Sequence, residues 1–290
     1  MSIETRLGGP TAMLPLSRRQ MLIAAGSAAA LLTAPAALAA PRSDLWPRWQ
    51  AHDAASRRSV DHAGWDAFVA RYRVEGADGV ARVAYGAVTQ TDRQALGDYL
   101  ALLSATPVSS LNQAEQFSYW VNFYNALTVQ VILDHYPVAS IRDIDISPGL
   151  FANGPWGAPL ATVEGEALSL DDIEHRILRP IWQDPRIHYV VNCAAIGCPN
   201  LPARALRPST NDVTMNAAAT AYVNDPRGVD LAPNGLTVSR IYDWFAEDFG
   251  DLRAHLTRYA TGDRAASLAS GVAITRYRYD WSLNDLDSEG

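Results

Sequence analysis

Cys193 and Cys198 are the most reactive side chains of the sequence, set five positions apart in the run Cys193-Ala194-Ala195-Ile196-Gly197-Cys198-Pro199. A cysteine acts as a nucleophile in its thiolate form, and it needs a neighbour that lowers its pKa, most often a histidine. His175 is the first candidate for that base and His188 the second. Gly197 and Pro199 set a tight exposed turn around Cys198, whereas Cys193 continues an apolar run, so Cys198 is the preferred nucleophile. Asn122, Asn125 or Glu115 would orient the imidazole or donate to an oxyanion. Such a constellation performs hydrolase or acyl-transferase chemistry on amide-type substrates. Its usual form puts the cysteine at the start of a long helix; here Glu115 holds that position, which counts against a standard version. In a second reading the two cysteines form a structural disulfide, whose small loop contributes about 2–3 kcal/mol. That reading belongs to a non-catalytic ligand- or protein-binding module. A third reading joins His175, His188 and Glu174 to the cysteines as metal ligands, but no pair has a standard metal spacing. No metal and no cofactor are expected.

The two asparagines sit in the element with the clearest pattern. Between Gln113 and about His135, Phe117, Trp120, Val121, Tyr124, Leu127 and Val131 recur at helical period. Glu115, Ser118, Asn122 and Asn125 make a polar stripe. Phe123, Ala126, Val129 and Leu133 lie near that same side, so the helix is apolar nearly all round and central. A buried amide left unpaired costs about 1–3 kcal/mol. Two asparagines here therefore imply organised partners, either a structural hydrogen-bond network or a site.

Other elements follow from pattern and punctuation. Residues 42–75, with Trp46, Trp49, Trp65 and Phe68, read as helices packing aromatic side chains. Asp92 to Leu103 reads as a helix with Ala95, Leu96, Tyr99, Leu100 and Leu103 on one side, ended by Pro107. A Gly- and Pro-rich irregular stretch surrounds Phe151 and Trp156, and Trp156 is a candidate pocket wall. A strand-turn-strand is predicted over Ala161–Ala167 with Gly165 in the turn. Ser169 is a predicted N-cap, with Asp171 and Asp172 in the first turn of a helix running to Leu178. Ile187–Asn192 reads as a short buried strand leading into the cysteines. Helices follow over Asn211–Asn224, Asp243–Phe249 and Leu252–Ala260, with strands near Leu236–Val238 and Val272–Tyr279. Helices dominate and dispersed strands accompany them, which gives a predominantly helical α+β domain with a small β-sheet. His52, His62, His135 and His255 read as surface or packing residues.

Composition removes several functions. All 24 basic residues are arginine and lysine is absent. Schiff-base chemistry and a P-loop are thereby excluded. A net charge of −7 argues against a nucleic-acid binder, which needs a basic stripe. The first forty residues read as an address. Ser17-Arg18-Arg19-Gln20-Met21-Leu22 precedes the apolar run Met21–Leu32, and Ala37-Leu38-Ala39 suits a signal peptidase. The paired arginines are similar to a twin-arginine signal, so transient engagement of that export machinery and a periplasmic or secreted product are expected. The apolar run is too short to span roughly 30 Å of hydrocarbon, and no stable membrane association is expected. Cleavage after Ala39 leaves 251 residues; loss of three arginines and one glutamate takes the charge to −9.

Five segments carry a resemblance to a known family. Tyr119-Trp120-Val121-Asn122-Phe123-Tyr124-Asn125-Ala126-Leu127-Thr128 resembles its "FWINxYNALT". Leu170-Asp171-Asp172-Ile173-Glu174-His175-Arg176-Ile177-Leu178-Arg179-Pro180 is similar to its "LDDIEHGILRP". Asp184-Pro185-Arg186-Ile187-His188-Tyr189 and Asn192-Cys193-Ala194-Ala195-Ile196-Gly197-Cys198-Pro199-Asn200-Leu201 resemble its "DPRIHFALNCASIGCPPL". Tyr279-Asp280-Trp281-Ser282-Leu283-Asn284-Asp285 resembles its "YDWSLND". The family is DUF547, a domain of unknown function, and the resemblance implies a domain without implying an activity or cofactor. Plant relatives often lack one or both cysteines, which weakens any family-wide role for them. The resemblance divides the chain into a leader over 1–39, an N-terminal helical region over 40–110 and a DUF547-like domain over 111–285. The expected cleft is lined by the Asn-bearing helix, the His175 helix and the cysteine loop, and it takes a small-molecule or peptide ligand.

Overall fold

The computed structural model describes residues 41–149 and 154–286. The leader and Phe151 lie outside the described residues. Among the described residues no helix is long and apolar enough to cross a membrane.

The chain builds α1 (Ala63–Tyr72), the hairpin β1 (Arg73–Glu75) and β2 (Ala81–Val83), then α2 (Gln90–Ala105) and the central α3 (Gln113–His135). Thr89 caps α2 by accepting from the Asp92 N–H at 3.1 Å. Leu96, Tyr99, Leu100 and Leu103 are buried as the pattern predicts, while Ala95 is exposed. Helix α3 starts at Asn112, whose Oδ1 accepts from the Glu115 N–H at 2.9 Å. It is buried nearly all round, and it packs against α2 and against the helical turn that carries His175.

The predicted hairpin is β3 (Ala161–Val163) with β4 (Glu166–Leu168). Its turn residues Glu164 and Gly165 both have positive φ, 46° and 85°, the pattern of a type I′ turn. Glu164 tolerates this because its carboxylate accepts from the Ser109 N–H and Oγ–H at 2.9 and 2.7 Å.

The downstream elements are α4 (Arg179–Trp182), α5 (Asn211–Val223), β5 (Val229–Ala232), β6 (Gly235–Ser239), α6 (Ile241–Trp244), α7 (Ala246–Phe249), α8 (Leu252–Tyr259), α9 (Gly262–Ala269) and β7 (Ile274–Arg278). Strand β6 is central, antiparallel to β5 and parallel to β7. The fold is α+β and mostly helical, with three small sheets of two, two and three strands among the described residues where one small sheet was expected. The larger core gathers α1–α3, the His175 turn and Leu283; the smaller joins Tyr189, α5, β5, β6 and α6–α8.

One expected strand is absent. Residues Pro185–Tyr189 form a 3-10 turn, capped by Asp184 accepting from the Arg186 N–H at 2.9 Å. Pro185 opens it in the position where a missing N–H costs nothing. Burial of the consecutive residues Ile187–Asn192 on all sides removes the alternation a half-exposed strand would show, so apolar content alone was misleading.

Candidate functional site: an acid–imidazole cleft beside a buried thiol pair

The polar residues of α3 hold neighbouring chain in place. Asn122, fully buried, gives Nδ2–H to the Leu206 carbonyl at 2.9 Å and accepts the Leu206 N–H at 2.8 Å. Asn125 gives Nδ2–H to the Val190 carbonyl and accepts the Asn192 N–H, both at 2.8 Å. Glu115 accepts the Val60 N–H at 2.8 Å. Each side chain thus satisfies backbone groups of a segment that has no regular structure of its own. None of the three is hydrogen-bonded to His175 or to a sulfur.

Helical geometry begins at Leu170, and Ser169 acts as predicted. Its Oγ accepts the Asp172 N–H at 3.1 Å while Asp172 Oδ2 accepts the Ser169 N–H at 3.0 Å, a reciprocal capping box. The turn Asp172–Leu178 is a π-helix, not the α-helix expected, and the helix continues through Pro180 into α4. The Arg179 N–H reaches back five residues to the Glu174 carbonyl. Pro180 has no N–H for the turn before it. The carbonyls of His175 and Arg176 are therefore free for other donors. They receive the N–H groups of Asp44 and Trp46, at 2.9 and 3.0 Å. The segment Pro41–Trp46 is thereby strapped over the π-helix. Arg176 stacks on Trp46 at 4.5 Å, and Arg179 gives an N–H to the Pro41 carbonyl at 2.8 Å.

Arg179 organises the charges beneath the strap. Its buried guanidinium donates to Asp248 at 2.6 Å, to Glu247 at 2.8 Å and to His175 Nδ1 at 3.1 Å. His188 lies between Asp248, 2.6 Å from Nε2, and Glu174, 3.6 Å from Nδ1, and stacks on Phe245 at 4.1 Å. Burial alone would lower the pKa of His188; its bonds to Asp248 and Glu174 outweigh this and hold it above the usual histidine range. Burial likewise opposes ionisation of Glu174, but His175, His188 and Tyr124 prevail and take it to about 2.

His175 and Asp171 face a cleft of about 480 Å³ whose other walls are Pro41, Arg42, Ser43, Asp44 and Arg176. Because Arg179 donates to Nδ1, the neutral imidazole carries its proton on Nε2, 3.6 Å from Asp171 Oδ1. Burial lowers His175 to about 4. Asp171 is pushed the other way, to about 7, by burial and by the neighbouring carboxylates of Glu174 and Asp172. Its side chain keeps 37% of its surface exposed, which opens it to the cleft. At neutral pH the wall thus carries an uncharged imidazole and a carboxyl group shared between its two protonation states.

The cysteines face elsewhere. Both are free thiols, with sulfurs 3.2 Å apart, and the second reading, a structural disulfide, finds no support in this arrangement. Cys193 Sγ lies 3.0 Å from the Tyr279 hydroxyl, and Cys198 Sγ accepts the Cys193 N–H at 3.2 Å. No hydrogen bond joins either sulfur to His175 or His188, whose ring nitrogens face Arg179, Asp171, Asp248 and Glu174. Cys198 is the buried member of the pair and Cys193 the partly exposed one, the reverse of the turn geometry inferred for them. Among the described residues no group of three or more His, Cys, Asp or Glu side chains is placed to hold a metal ion. His62 and His255 are packing residues, bonded to the hydroxyls of Tyr99 and Tyr189 at 2.7 and 2.9 Å. Trp156 packs edge-on against Trp281.

The fold and site define a mostly helical α+β domain with a charged cleft and a separate thiol pair. Residues 108–223 match the family described as "Protein of unknown function, DUF547". The matched segment contains α3, the π-helix, Asp171, His175, His188 and both cysteines; Tyr279–Asp285 lies beyond it. No curated protein and no solved structure matches the chain. Asp171, Arg179 and Asp248 are partners of the histidines that the residue pattern did not reveal. Pro180 inside a helical pattern was the available signal, since it leaves carbonyls for another segment to use; nothing in the sequence marked Asp248.

Proposed function

We propose that the protein is an exported DUF547-type module that binds an amide-bearing small molecule or peptide between the strap and the π-helix. The observation that carries this reading is the Asp171–His175 pair lining the cleft with Arg42, Asp44 and Arg176. A protonated carboxyl gives one hydrogen bond and accepts another, which matches an amide group in a single planar contact. The raised pKa of Asp171 supplies that form at neutral pH, and the Nε2–H of His175 adds a second donor. Export rests on the leader, Arg18-Arg19 before the run Met21–Leu32 and the Ala37-Leu38-Ala39 end. N-terminal sequencing of the chain recovered outside the cytoplasm tests it, with a start near residue 40 expected and an intact Met1 contrary.

Calorimetric titration with N-acetylglycinamide at several pH values tests the binding reading. Affinity falls about tenfold per pH unit above 7 as Asp171 ionises. Asp171→Asn flattens the profile and Asp171→Ala removes binding. A profile already flat in the natural protein, or full binding by Asp171→Ala, contradicts the proposal.

One observation favours the second reading, a cysteine-dependent hydrolase or acyl-transferase. Cys198 Sγ accepts a backbone N–H, a contact that favours the thiolate. That reading requires a base, and both imidazoles are turned to carboxylates and to Arg179. Release of an amine from N-acetylated amide substrates, lost in Cys198→Ser, would restore it.

A further inference from the structure

The thiol pair is held ready for a reaction that needs no histidine. The loop between the cysteines is fixed from all sides without a sulfur–sulfur bond. Asn192 closes it by accepting the Ala194 N–H at 2.9 Å and donating to the Pro199 carbonyl at 2.8 Å. Ala194 takes φ 58°, an uncommon left-handed conformation for a residue with a Cβ. Arg227 donates to the Ile196 and Cys198 carbonyls at 3.0 and 3.2 Å. The N–H groups of Ile196 and Gly197 bind the carbonyls of Ser282 and Asp280, both at 2.8 Å. A Cβ on Gly197 would come within 2.7 Å of the Asp280 nitrogen, so only glycine lets the C-terminal segment close here. Within this frame the two sulfurs stand 3.2 Å apart, Cys193 being a partly exposed residue and Cys198 a buried one.

The two thiols differ in character. Burial pushes the Cys198 thiol up, but the S–H and N–H of Cys193 aimed at it bring it below the usual thiol range. Cys193, which gives that S–H bond and is also buried at its sulfur, is pushed well up. The Cys198 sulfur is thus the favoured seat of negative charge, and Cys193 is the residue of the pair that meets the surface.

We propose that Cys193 and Cys198 form a thiol–disulfide exchange centre acting on small disulfides. Disulfide exchange is attack of a thiolate on sulfur and needs neither an oxyanion hole nor a histidine. The pair reacts as its monoanion, one proton having passed to solvent. The remaining proton moves from Cys193 to Cys198 across their hydrogen bond, and Cys193 Sγ attacks the disulfide RS–SR; its sulfur–sulfur bond breaks, a mixed disulfide forms and one RS− leaves. Cys198 passes its proton to that RS− and attacks Cys193 Sγ; the mixed disulfide breaks, the Cys193–Cys198 bond forms, and the second RS− leaves and takes a proton back from solvent. The pair is oxidised by two electrons, RS–SR is reduced by two, and two RSH are released. Tyr279, 3.0 Å from Cys193 Sγ, positions the first sulfur.

The experiment uses the reduced full chain, oxidised glutathione as probe, alkylation of the remaining thiols and mass analysis. The natural protein is expected to lose both thiols together, to retain no glutathione, and to regain both thiols in excess reduced glutathione. Cys198→Ser is expected to stop with one glutathione on Cys193. Cys193→Ser is expected to react at least about tenfold more slowly, its remaining thiol being buried. Unreactive thiols in the natural protein, a stable glutathione adduct on it, or a bond that reduced glutathione does not reverse would each overturn the proposal. These outcomes on the natural protein decide the matter even if a variant fails to fold, and none depends on ligand binding in the cleft.

Discussion

Replacing Asn125 by alanine separates a framework role from a catalytic one. The Asn125 amide satisfies two buried backbone groups, the Val190 carbonyl and the Asn192 N–H, each at 2.8 Å. Alanine offers neither partner, and Val190 and Asn192 are 0% and 4% exposed, so water does not readily replace the side chain. Each orphaned group costs about 1–3 kcal/mol, which gives a loss of about 2–6 kcal/mol for the pair. Asn122→Ala removes the same two kinds of bond from Leu206 and costs a similar amount. Gln94→Ala is the control. Its Nε2–H reaches Asp98 at 2.9 Å on the exposed face of α2, a pair worth about 0.2–0.5 kcal/mol. Urea unfolding followed by tryptophan fluorescence, with eight tryptophans as reporters, reads all three. A loss below about 0.5 kcal/mol for Asn125→Ala, the range of an ordinary surface substitution, would refute the reasoning and return the amide to a site role.

Three further outcomes are expected. Arg179→Met leaves the half-buried Asp248 with His188 alone as partner and costs about 1–3 kcal/mol; it also frees the strap, so trypsin cuts after Arg42 and Arg48 faster than in the natural protein, and unchanged cleavage would contradict the strap. Thermal stability falls as pH drops from 6.5 towards 4. His62, His175 and His255 are held by burial to about 4 in the folded state, so the unfolded chain binds more protons across that window. Asp171 acts oppositely: its folded pKa of about 7 gives stability that is full below 3.8 and lost as pH rises through 7, so Asp171→Asn loses stability more steeply than the natural protein as pH drops from 7 towards 4. Melting curves between pH 4 and 8 check both signs, and a flat profile contradicts them. Gly197→Ala forces its Cβ against Asp280 and costs about 1–3 kcal/mol in unfolding measurements, or nothing if the C-terminal segment is not seated there.

Much of the fold was legible because periodicity reports burial directly. The bounds Gln113–His135 follow from an apolar pattern that runs almost all round the helix, and the β3–β4 turn follows from Gly165. The paired amides were readable as implying partners, but which backbone groups they hold depends on loops far away in sequence, near residues 190 and 206. The π-turn was not legible, since its reach of five residues depends on Pro180 and on donors supplied by Asp44 and Trp46. The thiol–imidazole pairing was proposed from residue types alone. In the folded chain Arg179 and Asp171 occupy the nitrogens of His175, and neither sulfur takes part. Asp171 itself was read as a first-turn carboxylate stabilised by the helix end. Its burial beside Glu174 and Asp172, which reverses that electrostatic effect, is a property of packing.

Backbone resonances followed by nuclear magnetic resonance during titration with N-acetylglycinamide show whether the ligand site is the cleft between strap and π-helix. Shifts are expected only at Ser43, Asp44, Asp171, His175 and Arg176, saturating together and leaving Cys193 and Cys198 unmoved. Shifts centred on the cysteine turn, or none at any concentration, would contradict a site in that cleft.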